Sequence, residues 1–166
     1  MKISTATPIG LVGLGNMGLG VAENLLKHGF SLTVHERSDK VRQWGSGRKG
    51  VRLTSSLKEL GQASRIILLT VTDNAALDNV LYSKNAILAG LRRGDLVIDM
   101  TTGDPALAIR NQERLAKKGV RMLEAPMTGG AVGARAGTLL LMVGGDKRVC
   151  KDCQPLFSAI SRKVVY

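Results

Sequence analysis

Strand-sized apolar runs alternate along this 166-residue chain with segments of helical hydrophobic period. Residues 9–12, 31–35, 66–71, 96–100 and 120–124 read as strands. Residues 17–27, 57–61, 74–81 and 105–118 read as helices, the last with Asp104 as its cap. A helix between two strands returns the chain to the same end of the sheet, so the strands pair in parallel. The predicted fold class is therefore α/β, a doubly wound, mostly parallel sheet with helices on both faces. Toward the end, residues 137–145 read as a strand, 147–160 as a helix, and "KVVY" as a terminal strand. Its "VVY" edge has nothing after it to close the fold, and the expectation is that the chain continues in a longer protein.

The first strand runs straight into "GLGNMG", with glycines at 13, 15 and 18. A strand, a G-x-G-x-x-G turn and a helix in that order fit a dinucleotide. Gly13 permits the tight turn, Gly15 lets a pyrophosphate reach the backbone, and Gly18 lets helix and strand pack closely. The N–H groups and positive dipole end of the helix then face the phosphates. The candidate cradle is Gly13, Leu14, Gly15, Asn16, Met17 and Gly18. The second strand ends in "TVHERS", placing Glu36 eighteen residues after Gly18, where an acid accepts hydrogen bonds from a ribose diol. Arg37 and Ser38 follow it and are types that grip a 2′-phosphate. NADP and NAD are thus both candidate cofactors, with a slight lean to NADP. An S-adenosylmethionine site also uses a glycine turn and an acid on the next strand, and it stays open as a rival, as does a dinucleotide module without catalysis.

Charge narrows the partner. The chain carries 24 Lys+Arg against 13 Asp+Glu, a net charge of +11. Six of the cations, from Arg37 to Arg52, are opposed within that stretch only by Asp39. Aromatics make up 3 % of the chain, and Trp44 alone lies in the cluster. That is poor material for stacking bases, so a small anionic ligand is expected and a specific nucleic-acid partner is not. At 166 residues with 44 % hydrophobic content the chain suits one domain, 1–166, with a real core. None of its apolar runs is long enough for a bilayer, and the start lacks a secretory pattern. Two cysteines make no disulfide framework. The expected compartment is the cytoplasm.

A second glycine block, "EAPMTGGAVGARAGTLLLMVGG", follows the strand at 120–124. Thr128, Gly129 and Gly130 fall at its C-terminal mouth, where open α/β sheets bind ligands. A hydroxyl beside two exposed N–H groups suits a carboxylate. A capped helix start explains the same residues equally well.

Together, "GLGNMGLGVAENLLKHG", "DMTTGDP" and "EAPMTGGAVGARAGTLLLMVGGD" resemble the three N-terminal signatures of the β-hydroxyacid dehydrogenases, the 3-hydroxyisobutyrate dehydrogenase group related to 6-phosphogluconate dehydrogenase. The resemblance covers essentially the whole chain. It implies a Rossmann-type NAD(P)-binding domain of an oxidoreductase that interconverts a small β-hydroxy acid and its carbonyl form. Thr128, Gly129 and Gly130 match the family's substrate-holding Ser-Gly-Gly, with a methyl added at Thr128; Met127 replaces a Val. Val71 and Thr72 stand where the family has a Leu-Pro turn near the nicotinamide. Thr102 matches a Thr near the nicotinamide ribose, though capping the next helix would explain it too. The family's general acid/base is a lysine in a Gly-x-x-x-Asn-x-x-Lys helix. That motif does not occur here, so no catalytic residue is assigned within the chain. The lysine, a helical second domain and most contacts of a homo-oligomer are expected beyond Tyr166.

The remaining features have plainer readings. Cys150 and Cys153 form C-x-x-C, but on a helix far from any thioredoxin-like start, and ordinary packing is expected. His28 suits a helix C-terminus, and His35 the cofactor edge of the second strand. No cluster has metal-ligand spacing, so no metal is expected.

Overall fold

The computed structural model describes residues 2–35 and 37–166. Its central sheet has the order β3 (Val51–Thr54), β2 (Leu32–His35), β1 (Ile9–Val12), β4 (Ile66–Leu69), β5 (Leu96–Asp99), β6 (Arg121–Glu124), β9 (Gly144–Gly145). The first six are parallel and β9 is antiparallel to β6. Register aligns the apolar side chains level by level, with Ile9 opposite both Leu32 and Ile66. Alternate residues serve opposite faces. Ile9, Leu11, Ile66, Leu68, Leu96 and Ile98 join the core under α1 (Asn16–Lys27) and α9 (Gln154–Ile160). Val12, Ile67, Leu69 and Val97 join the one formed with α3 (Leu57–Ala63), α4 (Asn74–Tyr82), α5 (Ile87–Gly90) and α6 (Pro105–Ala116). Burial on both faces explains why "IILL" reads as an unbroken apolar run.

The predicted parallel sheet is borne out, and the differences are local. The basic stretch contains α2 (Asp39–Gly45) and β3, which the sequence did not suggest. Only Val41 and Gly45 of α2 are buried, so its apolar period is too weak to stand out. The strand read over 137–145 divides into β8 (Leu139–Met142) and β9. β8 belongs to a second sheet, between β10 (Ser161–Val165), which is parallel to it, and β7 (Met127–Thr128), which is antiparallel. The helix read over 147–160 divides at Cys153 into α8 (Lys147–Asp152) and α9. Pro155 sits in the first turn of α9, where its missing N–H costs nothing; in an unbroken helix its ring would meet the carbonyl four residues back.

Helix starts differ in their caps. Ser38, Ser56, Asp73, Asp104 and Asp146 each cap the following helix with a side-chain oxygen. By contrast, α1 and α7 (Gly130–Ala136) begin on Gly15 and Gly129, which have no side chain to offer.

These two helices are bolted together. A Cβ on Gly20 of α1 would lie 2.5 Å from the Ala134 carbonyl carbon, so only glycine allows the approach. Asn24, buried, donates from Nδ2 to the carbonyls of Gly20 at 2.9 Å, Ala134 at 2.8 Å and Arg135 at 3.0 Å. Truncation would remove the buried hydrogen bond to Ala134 and the half-buried one to Arg135. Asn24→Ala is therefore expected to destabilise the chain by about 2 kcal/mol, lowering the melting temperature by about 4–8 °C. A melting curve within about 1 °C of wild type would show that the bolt carries no stability.

Candidate functional site

The sheet reverses its winding between β1 and β4, and open α/β sheets bind ligands outside the strand ends at such a switch point. A cavity of about 300 Å3 lies there, bounded by residues 15–18, 70–72, 100–102 and Met127. A larger hollow of about 380 Å3 lies at the opposite edge, against residues 5–9, 31–33 and 50–52. The chemistry favours the smaller one. Helices in a parallel sheet run against the strands, so their positive ends gather at the C-terminal mouth and their negative ends at the other edge.

The glycine turn is shaped by contact with β4. Gly13 has φ +97°, a conformation that L side chains rarely adopt. A Cβ there would collide with the Thr70 carbonyl, and one on Gly18 would collide with the Gly13 carbonyl oxygen. Gly15 differs. Its φ is −73°, ordinary for any residue, and no described atom lies within 4 Å of where its Cβ would point. The space above Gly15 is open, and the first N–H groups of α1 border it without a side-chain cap. Uncapped donors, a positive dipole end and room for a close approach suit a pyrophosphate.

The cavity brings together Gly15, Asn16, Met17, Gly18, Val71, Thr72 and Thr102, with Gly13 and Leu14 in the adjoining turn. Thr102 does not cap the next helix; Asp104 does, accepting from the Ala106 N–H at 2.9 Å. Thr72 donates to Asp73 at 3.0 Å, and Asp73 caps α4. Hydrogen bonds from the Ala76 N–H and the Thr72 hydroxyl hold the Asp73 carboxyl below its usual range. Arg37 and Ser38 are exposed past the end of β2 and are not among the residues lining the cavity. Ser38 caps α2, accepting from the Val41 N–H at 3.4 Å. Glu36 lies outside the described residues. Of the second glycine block, Met127 lines the cavity, whereas Thr128, Gly129 and Gly130 are exposed beside it. A helix does begin there, but on Gly129; Thr128 is not its cap.

Thr70, Met100, Thr101 and Met127 line the cavity in addition to the residues read from the sequence. Thr70 and Thr101 were hidden because 66–71 and the "DMTT" stretch read as continuous apolar strand and as capping material. Met127 enters the sequence reading only as a replacement for Val. Below them, Asp99 and Glu124 stand opposite each other in register on β5 and β6. Burial pushes the Asp99 carboxyl up, against the pull of the hydrogen bond from the Thr101 N–H at 2.9 Å. Burial and then the neighbouring Asp99 raise Glu124.

The basic cluster is partly occupied. Arg42 pairs with Asp39 at 3.1 Å, and Arg48 lies 4.5 Å from the Trp44 ring centroid and 3.6 Å from Glu23. Cys150 and Cys153 are buried free thiols, and burial pushes Cys153 up to about 12, so it packs rather than reacts at neutral pH. The His28 ring meets the Asn24 carbonyl at 2.8 Å at the end of α1. His35 meets the Ser55 carbonyl at 3.3 Å. Among the described residues no group of three or more His, Cys, Asp or Glu is placed to hold a metal, and no helix is long and apolar enough to cross a membrane.

Residues 8–166 match the family described as the NAD binding domain of 6-phosphogluconate dehydrogenase. The chain belongs to that family. It is 35 % identical over 168 residues to human mitochondrial 3-hydroxyisobutyrate dehydrogenase, covering 99 % of this chain and 49 % of that protein. The NAD-dependent L-serine dehydrogenase of Pseudomonas aeruginosa is 31 % identical over 158 residues, covering 95 % of this chain and 53 % of that enzyme. A solved structure of 3-hydroxyisobutyrate dehydrogenase from Mycobacterium tuberculosis with L-serine has a TM-score of 0.84 at 26 % identity, covering 96 % and 53 %. The chain thus spans about half the length of the relatives it matches. The resemblance read from the three signatures is borne out, and nothing in these likenesses favours an S-adenosylmethionine site.

Gly15→Val tests the cradle. Its backbone accepts a side chain, so the melting temperature is expected to hold, while the isopropyl group fills the phosphate space. Calorimetric titration should show NADP and NAD affinity falling about tenfold or more, which is about 1.4 kcal/mol or more. Unchanged affinity in a folded variant would remove the pyrophosphate from this turn.

Proposed function

We propose that residues 1–166 form the dinucleotide-holding domain of an NAD(P)-dependent β-hydroxyacid dehydrogenase or reductase, acting on a small hydroxy acid and its carbonyl form. The uncapped start of α1 over the open space at Gly15 is the observation that carries this reading. When bound, the nicotinamide supplies the hydride acceptor for oxidation and the donor for reduction. The chain's own task is to hold and orient. The first N–H groups of α1 hold the pyrophosphate, and Val71, Thr72 and Thr102 border the nicotinamide end. The Thr128 hydroxyl and the Gly129 and Gly130 N–H groups face the substrate carboxylate from beside the cavity. 3-Hydroxyisobutyrate and L-serine, named in the relatives, are both small acids with a hydroxyl on the β carbon. The proton of that hydroxyl goes to the family's lysine, whose motif these residues do not contain, and homo-oligomerisation is assigned to the part of the relatives' length that this chain does not span. The enzyme is placed in the cytoplasm, with no specific nucleic-acid partner.

Both dinucleotides bind, and NADP is modestly preferred. A charge-assisted contact from Arg37 to a 2′-phosphate contributes about 1.5–3 kcal/mol. Screened repulsion from the Glu36 carboxylate is smaller, on the order of 1 kcal/mol. Lys40, exposed in the first turn of α2 just past Ser38, adds a favourable field. Titration of the chain with NADP and NAD at low and high salt is expected to show a preference that weakens as salt rises. Arg37→Ala should abolish it and leave NAD binding nearly unchanged. NAD binding about tenfold tighter than NADP at low salt would reverse the assignment.

A further inference from the structure

The glycine turn is held by a side chain that the G-x-G-x-x-G pattern does not contain. Thr70 follows the last residue of β4 and lines the cavity. Its N–H donates to the Val12 carbonyl at 2.9 Å, continuing the β1–β4 ladder past the strand end. Its hydroxyl donates to the Gly13 carbonyl and lies 3.3 Å from that of Val12. The Gly13 oxygen is thereby fixed between Thr70 and the side-chain-free face of Gly18. The Gly13–Leu14 peptide is trans. In a trans peptide the N–H points opposite to the C=O, so an inward carbonyl sets an outward N–H.

We propose that Thr70 is a positioning residue for the dinucleotide: by holding the Gly13 carbonyl inward, its hydroxyl aims the Leu14 N–H at the pyrophosphate. This rests on the dinucleotide reading above. Without the hydroxyl, the Gly13–Leu14 peptide is free to rock, and a donor facing the phosphate is lost part of the time. The loss falls on ligands that carry a pyrophosphate. It spares the adenosine end, whose ribose the dinucleotide reading assigns to the end of β2 and not to this turn.

The test titrates wild type, Thr70→Val and Thr70→Ser with ADP-ribose and with adenosine, with melting curves alongside. Valine keeps the branched shape and removes the hydroxyl; serine keeps the hydroxyl and removes the methyl. The valine chain is expected to bind ADP-ribose about tenfold more weakly, and the serine chain within about twofold of wild type. Adenosine should bind all three within about twofold. Should the valine chain melt below the assay temperature, Thr70→Ala removes the hydroxyl without adding bulk and is expected to show the same loss. Wild-type affinity for ADP-ribose in the folded hydroxyl-less variants overturns the role of Thr70. So does an equal loss for adenosine, or a failure of serine to restore binding. A folded wild-type chain that binds no ADP-ribose overturns the dinucleotide reading itself, and the proposal with it.

Discussion

The start of α1 and the end of β4 approach each other with almost no side chain between them, and the site depends on that contact. Gly18 brings the helix down onto the Gly13 carbonyl, and Gly13, at positive φ, has no Cβ to meet the Thr70 carbonyl. Side chains at either position would push α1 off the sheet. Its first N–H groups would then sit away from the switch point where β1 and β4 diverge. The same contact leaves Gly15 at the rim, facing open space. Close packing on one side of the turn and a vacancy on the other follow from one arrangement of three glycines.

Helix polarity does the rest. Most of the helices that start at the C-terminal mouth have their first donors satisfied by Ser or Asp. Those caps use up hydrogen-bonding capacity and add negative charge or lone pairs that would repel an anion. At α1 neither is present, so the dipole end and the donors point at the cavity together. The Asn24 bolt fixes α7 against α1, and with it the distance from Thr128–Gly130 to the glycine turn. A hydride moves between two bound molecules only when their reacting carbons are held close. On the proposed reading, a rigid link between the two glycine-started helices serves that need.

Much of this was legible in the sequence because the strongest signals are local. The order of strands and helices came from apolar period, and the turn at Gly13–Gly18 from its place between the two. Helix caps such as Asp104 were readable for the same reason. What escaped depends on contacts distant in the chain. Thr70 reaches Gly13 across fifty-seven positions, and Asn24 reaches Ala134 across one hundred and ten. β3 and α2 were lost inside a charged stretch whose few buried residues make no clear period. The division of 137–145 into two sheets turns on which neighbour each half meets, β10 and β7 for one and β6 for the other. No local pattern records that choice.

The central claim is that the C-terminal mouth of the parallel sheet, and not the larger hollow at the opposite edge, receives the dinucleotide. Backbone amide NMR of the 15N-labelled chain, recorded as NADP is added, tests it most directly. The account predicts that the largest shift changes fall on residues 13–18, 70–72 and 100–102. Changes gathered instead around residues 5–9, 31–33 and 50–52, with the glycine turn unmoved, would contradict it.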